Sequence, residues 1–170
     1  QDSTPMILIV GQVSQGVLDR EGFQEVDYKS MFGKMAKWVA QIESVDRIPE
    51  YIGRAFRIAV SGRPGPVVLS LPENVLTSSS LSNDSAVMPS AKSAPSEEDV
   101  KTLNRYLKRS RRPILIIGGS GWDENSKKDL SYFAQNNSVP VVTSFRRQDL
   151  ADNNESFFVD SSCANNSDTC

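Results

Sequence analysis

The residues best equipped for chemistry in this chain are a glycine turn, an arginine set among prolines and glycines, and a short run with an amide and a carboxylate. Gly118-Gly119-Ser120-Gly121 follows the apolar run Ile114-Leu115-Ile116-Ile117 and precedes a helical pattern. Glycines there let backbone approach a ligand, and a helix start offers unpaired N–H donors to anionic oxygens such as those of a nucleotide diphosphate. The spacing is G-G-x-G rather than G-x-G-x-x-G, and no ribose-binding acid follows on the next strand. An anion-binding turn and a plain strand–helix turn both fit. Arg63 lies within Gly62-Arg63-Pro64-Gly65-Pro66. A rigid turn into a strand needs no arginine, whereas a guanidinium on a proline-stiffened loop suits bidentate phosphate contact. Phe23-Gln24-Glu25, on spacing alone, is favoured as the opening of a helix, with Phe23 packing and Glu25 near the positive helix end.

Other chemistries are excluded by residue type. The 170 residues contain no histidine, so no Ser-His-Asp or Cys-His nucleophile and no histidine metal site can form within them. The two cysteines, Cys163 and Cys170, are too few and too peripheral for a disulfide framework or a cysteine metal cluster. Metal ligands are therefore not assigned to any residue. Apolar residues at 38% and charged residues at 24% suit a globular protein, and 19 basic against 21 acidic residues give a net charge of −2. No basic face dominates, which argues against a nucleic-acid partner. Apolar stretches such as Met6-Ile7-Leu8-Ile9-Val10 fall far short of a membrane span, and no signal core follows the start. The expected location is the cytoplasm, or an organelle whose targeting segment is not shown.

The elements that must position these groups alternate in type. Met6-Ile7-Leu8-Ile9-Val10 reads as a buried strand ending at Gly11, and residues 14–22 as a loop. Phe23, Val26 and Met31 are compatible with a short helix, and Ala36-Lys37-Trp38-Val39-Ala40 with a strand. Ile48, Ile52, Ala55, Phe56 and Ala59 fall on one helical face, with Pro49 harmless in the first turn. The proline-glycine turn then delivers the chain to Val67-Val68-Leu69-Ser70-Leu71, too short for a helix and without polar alternation. Such a strand is covered on both faces, as in parallel sheets. Strand, helix, strand in this order predicts a right-handed crossover unit.

Residues 77–95 are rich in serine and read as a linker, with a long surface loop as the lesser alternative. After it Ser96-Glu97-Glu98-Asp99 resembles a capping box, and Val100, Leu103 and Leu107 make a helical stripe ending among Lys108, Arg109, Arg111 and Arg112. A strand at 114–117, a helix near 125–136 with Leu130, Phe133 and Ala134, and a strand at 140–143 complete a second crossover unit. Beyond about residue 155 apolar content collapses, and 156–170 read as an unstructured tail. The predicted class is α/β: parts of two doubly wound parallel-sheet domains, 1–76 and 96–155, joined by the serine-rich linker.

Gly11-Gln12-Val13, Phe23-Gln24-Glu25, Ala36-Lys37-Trp38, the 62–66 turn and Pro72-Glu73-Asn74-Val75 occur in the order and near the spacing of one enzyme family. The stretch from Ser96, including Thr143-Ser144-Phe145-Arg146-Arg147-Gln148, follows suit. Over residues 5–155 the chain resembles thiamine-diphosphate-dependent enzymes of the acetolactate synthase type. The resemblance implies the end of a pyrimidine-binding domain followed by the start of a central domain. It implies an enzyme that uses thiamine diphosphate and Mg2+, acts on a small 2-oxoacid by decarboxylation and carboligation, and works as a homo-oligomer. It places Val13, Phe23 and Gln24 on the substrate side across a dimer interface. It matches Arg63 and Gly118, Gly119, Ser120 and Gly121 to positions that contact FAD.

Two features depart from that pattern: Glu73 stands where lysine is usual, and Gly-Gly-Ser-Gly replaces a Gly-Ala-Gly form. The family's activating glutamate is expected upstream of Gln1 and its Gly-Asp-Gly metal motif beyond Cys170. The chain is then a fragment, inactive alone, with no catalytic residue of its own. The competing readings are a non-catalytic FAD- or nucleotide-binding α/β module and a truncated product without independent activity.

Overall fold

The computed structural model of the chain describes residues 2–86, 89 and 93–159. It divides into two compact units, 1–92 and 93–170. In the first, β1 (Met6–Gln12), β2 (Trp38–Gln41) and β3 (Pro66–Pro72) form a parallel sheet in the order β1-β3-β2. The central strand runs beside β1 from Met6↔Pro66 to Gln12↔Pro72 and beside β2 from Trp38↔Val67 to Gln41↔Ser70. Its apolar run is buried from Val67 onward, as an uninterrupted apolar strand requires. Val67, Leu69 and Leu71 meet Ala55 and Ala59 of α2 (Ile48–Val60), together with Ile42 and Val75.

The helix α2 begins where Pro49 predicts. Small residues, Gly53, Ala55 and Ala59, form its buried line, while Phe56 of the predicted stripe is half exposed. Close approach to the sheet selects small side chains there, and the larger Tyr51, Ile52 and Ile58 pack around the rim. Lys37 closes the other end, its Nζ donating to the Ile58 and Ser61 carbonyls. On the flank of α2 the Trp38 and Tyr51 rings stack at 5.6 Å, with the Arg54 guanidinium 4.5 Å above the indole and Arg47 4.9 Å from the phenol. Arg47 is held in turn by a two-pronged pair with Glu50 at 2.8 and 2.9 Å. The strand predicted over 36–40 is shifted to Trp38–Gln41, because Ala36 and Lys37 turn the chain.

Two short helices follow strand ends: α1 (Tyr28–Phe32), capped by Asp27, and α3 (Glu73–Leu76). The predicted helix containing Phe23 and Val26 begins only at Tyr28, and Phe23 is 90% exposed instead of packing. Residues 77–86 carry no helix or strand beyond the helical turn's end. Part of that stretch lies on the first unit: Ser80 Oγ donates to Asp46 at 2.6 Å, and Ser85 sits against Gly53.

In the second unit α4 (Glu97–Arg109) opens with the capping box read from the sequence, Ser96 and Asp99 exchanging bonds. Then come β4 (Leu115–Ile117), α5 (Glu124–Asn137) and β5 (Val141–Thr143), the strands parallel. Ile117, Leu130, Ala134, Val141 and Leu150 form the core, joined by Phe157, which is 7% exposed. Residues 156–159, expected to belong to an unstructured tail, are instead part of this unit, because Phe157 is an apolar anchor and Phe158 bridges to Val141. Residues 160–170, with both cysteines, lie outside the described residues. The predicted α4 stripe is largely open: Leu103 is 55% exposed, Val100 is similarly open, and Leu107 is only partly buried. On β4, Ile116 is 75% exposed, because α5 covers only the face that carries Ile117. No helix among the described residues is long and apolar enough to cross a membrane.

Leu69→Ala is expected to lower the stability of the first unit by ~2–5 kcal/mol, since the removed side chain is wholly enclosed. Leu103→Ala is expected to change stability by no more than ~0.5 kcal/mol. Urea unfolding of the two variants beside the parent chain checks the contrast.

Candidate functional site

Ligands of parallel α/β sheets gather at the carboxyl ends of the strands. There, in the first unit, lies a cavity of about 320 Å3, walled by Gln12, Val39, Gln41 and Ser70 from the strands and by Leu18, Asp19 and residues 25–29 from the following loop. Gln12 is 8% exposed and clips the two together: Nε2 donates to the Val26 carbonyl at 2.7 Å and Oε1 accepts from the Val13 amide at 3.0 Å. Tyr28 adds a bond from its hydroxyl to the Gly11 carbonyl at 3.0 Å.

A second tie joins the loops after all three strands. Asn74, following β3, accepts from the Gln15 amide at 2.9 Å and donates to the Gln15 side chain at 2.7 Å. Gln15, following β1, donates to the carbonyl of Glu43, following β2, at 3.1 Å. Acidic groups beside the cavity serve as backbone acceptors. The Asp19 and Gly22 amides hold the Glu25 carboxyl below the usual glutamate range. The Ser30 hydroxyl and amide do the same for Asp27. Ser70 differs: it is 2% exposed, lines the cavity, and its hydroxyl has no hydrogen-bond partner among the described residues.

The predicted substrate-side residues share this end of the sheet. Val13 leaves β1 directly, and Phe23 and Gln24 form the turn of the loop that roofs the cavity, although none of the three is among its lining. Glu25, read as a helix-dipole acid, instead accepts two loop amides, at 2.7 and 3.0 Å. Arg63 is at the opposite, amino end of β3, its Nε donating to Ser3 Oγ at 2.7 Å, beside a 460 Å3 groove shared with Lys37 and Ser61.

The glycine turn of the second unit is compact. Gly119 and Gly121 have φ of 75° and 91°, and a Cβ on Gly118 would lie 2.5 Å from Ser144 Oγ. Glycine is thus favoured by conformation at Gly119 and Gly121, and at Gly118 a side chain would have to displace Ser144. The Trp122 indole donates to the Gly118 carbonyl at 2.9 Å, and Arg147 donates to the Gly119 carbonyl. Arg147 also makes a two-pronged pair with Asp149 at 3.0 and 3.1 Å, which draws the Asp149 carboxyl below its usual range. The start of α5 is occupied by its own acids, with Asp123 capping Ser126 and Glu124 in the first turn. Gln12, Asn74 and Arg147 stand within the family motifs, where spacing gives them no role of their own, and Ser70 and Asp149 are marked by no motif. Only the Arg147–Asp149 pair, two residues apart, had a local signal. Among the described residues no group of three or more Cys, Asp or Glu side chains is placed to hold a metal ion.

Thr143 Oγ1, like Ser70 Oγ, is buried without a hydrogen-bond partner among the described residues. Thr143→Val is expected to stabilise the second unit by ~1 kcal/mol, by removing an unpaired hydroxyl at nearly constant volume. A loss of stability on denaturant titration would show that the hydroxyl is satisfied in solution. Because the folded Asp149 carboxyl is depressed, the pair with Arg147 contributes fully above the ordinary aspartate value of about 3.9. It is lost as pH falls through the lower folded value. Asp149→Asn is expected to flatten this acid limb in a series of melting midpoints against pH.

No protein-family profile matches the chain. Curated relatives do. The acetolactate synthase large subunit of Corynebacterium glutamicum is 29% identical over 146 residues, 84% of this chain and 23% of the relative. The acetolactate synthase isozyme 1 large subunit of Escherichia coli is 34% identical over 120 residues, 69% of this chain and 21% of the relative. Acetolactate synthase 3, chloroplastic, of Brassica napus is 31% identical over 148 residues, 84% and 22% respectively. The chain spans about a quarter of the length of the curated relatives it matches. With its parallel sheets and the motifs at their carboxyl ends, the chain is acetolactate synthase-like, a relative of the large subunits over that portion of their length.

Proposed function

We propose that this chain is part of a thiamine-diphosphate-dependent enzyme that decarboxylates a 2-oxoacid and passes the carbanion equivalent to an acceptor. In that reading the first unit supplies a wall on the substrate side, through Val13, Phe23 and Gln24. The observation that carries it is the knitting of three strand-end loops by Gln12, Gln15 and Asn74, in a segment about 30% identical to acetolactate synthases over 84% of its length. Thiamine diphosphate, when bound, supplies the carbon that stabilises the carbanion. The chain's own residues would orient and shield: the Gln24 amide can donate to a carboxylate or carbonyl oxygen, while Val13 and Phe23 exclude water.

Magnesium does not fit the acids of this cavity, because Glu25 and Asp27 already accept backbone amides and the Ser30 hydroxyl, and Asp19, the third acid of the lining, does not complete a metal-holding group with them among the described residues. Metal ligands are therefore assigned to the remainder of the complete protein, and the isolated segment is expected to be inactive. FAD at Arg63 and at Gly118, Gly119, Ser120 and Gly121 is the finer part of the same reading. The acids at the start of α5 disfavour a diphosphate on the helix end itself, and Arg147 is already engaged by Asp149 and Gly119, which leaves the turn's backbone amides as the receiving groups. A homo-oligomer is supported by exposed apolar side chains of the first unit, among them Phe23, Met31 and Met35. A cytoplasmic location belongs to the same proposal.

The complete protein, given thiamine diphosphate, Mg2+ and pyruvate or a longer 2-oxoacid, is expected to release carbon dioxide. Gln24→Ala is expected to lower kcat/KM by about tenfold or more, the equivalent of one oriented hydrogen bond. No decarboxylation of any 2-oxoacid tried would overturn the proposal.

A further inference from the structure

The loop that carries Phe23 and Gln24 holds a concentration of disfavoured backbone. Asp19, Glu21 and Gln24 have φ of 62°, 54° and 67°, within six consecutive residues. Side chains on L residues crowd the backbone in this region, so surrounding contacts must impose it. One side chain supplies most of those contacts. Glu25 Oε1 accepts from the Asp19 amide at 2.7 Å, Oε2 accepts from the Gly22 amide at 3.0 Å, and the Glu25 amide donates to the Gly22 carbonyl at 3.0 Å. A single carboxylate thereby closes residues 19–25 from beneath. Gly22 is pressed onto the preceding turn, since a Cβ there would lie 2.5 Å from Val17 Cγ1. The next residue, Val26, is fixed to the end of β1 by Gln12 at 2.7 Å. Phe23, left at the tip, is 90% exposed.

We propose that Glu25 is a positioning residue, whose carboxylate bridges the Asp19 and Gly22 amides and so sets the loop in the conformation that projects Phe23 and Gln24 outward. This rests on the reading of Phe23 and Gln24 as substrate-side residues, and it adds to that reading the group that aims them. Carboxylate oxygens are the strong acceptors for paired amides. Glutamine in the same place offers one good acceptor oxygen, alanine none, and aspartate is one methylene too short to span both amides. Asp19, Asp27 and Lys29 line the same cavity as Glu25.

The test pairs a structural and a kinetic measurement. Amide hydrogen exchange, read residue by residue on the 15N-labelled chain, is expected to quicken at Asp19 and Gly22 by about tenfold or more in Glu25→Ala, and less in Glu25→Gln. Exchange in β3 should stay unchanged, which certifies that the variants fold. In the complete protein with thiamine diphosphate, Mg2+ and pyruvate, Glu25→Ala is expected to lower kcat/KM by about tenfold. The melting midpoint should hold, and Glu25→Gln should recover part of the loss. Unchanged exchange at both amides overturns the bridging role, whatever the activity. Quickened exchange with undiminished kcat/KM overturns the positioning role and leaves a loop brace only. If the unsubstituted protein turns over no 2-oxoacid, the functional reading fails, and with it the positioning role, while the exchange data still decide the bridge.

Discussion

A parallel strand paired on both edges and covered on both faces has no polar face to give to water, and β3 is the element on which that condition is met. Its start is set by the 62–66 turn, where Gly62 has a φ of 55° and the Gly65 amide returns to the Ala59 carbonyl at 3.0 Å. Lys37 binds the same corner: its stem lies over Gly65, its amide donates to Pro66 and its ammonium caps the last carbonyls of α2. Helix end, turn, and the start of two strands are fixed by one side chain and a few backbone bonds. At the opposite end β1 and β3 finish level and β2 two residues earlier, and there Gln12, Gln15 and Asn74 link three loops.

Those links explain why polar residues dominate the carboxyl edge without making it a collection of loose loops. Each side-chain amide both donates and accepts, so Gln15 and Asn74 satisfy one another and a backbone group as well. The Glu25 carboxylate brings the same economy to the loop above the cavity. Ser70 is the exception, a buried hydroxyl on a residue of the cavity wall with no hydrogen-bond partner among the described residues. Buried polar atoms of that kind are rare in folded proteins and concentrate where solvent or a ligand completes the arrangement.

Much of the architecture was legible because apolar runs and helix caps are local signals. Val67-Val68-Leu69, Ile114-Leu115-Ile116-Ile117 and the Ser96–Asp99 box each announce themselves within a few residues, and each stands where expected. The site was less legible for a physical reason. Asn74 meets Gln15 across 59 residues and Gln15 meets Glu43 across 28, contacts that leave no trace in spacing. Phe23 was misjudged because an aromatic beside helix formers predicts packing, whereas a carboxylate two residues on bends the chain away. Periodicity also states only that a face prefers burial and not which partner covers it. The stripe on α4 and the outer face of β4 meet the pattern and remain open to water.

The aromatic stack beside α2 has a spectroscopic consequence. The chain has two tryptophans, Trp38 in the first unit and Trp122 in the second. Trp38 stacks with the Tyr51 ring and meets the Arg54 guanidinium, while the Trp122 indole is engaged with a carbonyl of the glycine turn. Each compact half thus carries its own fluorophore in a distinct environment. Replacing either indole by phenylalanine leaves emission from the other alone, so the melting of the two halves can be followed by light separately.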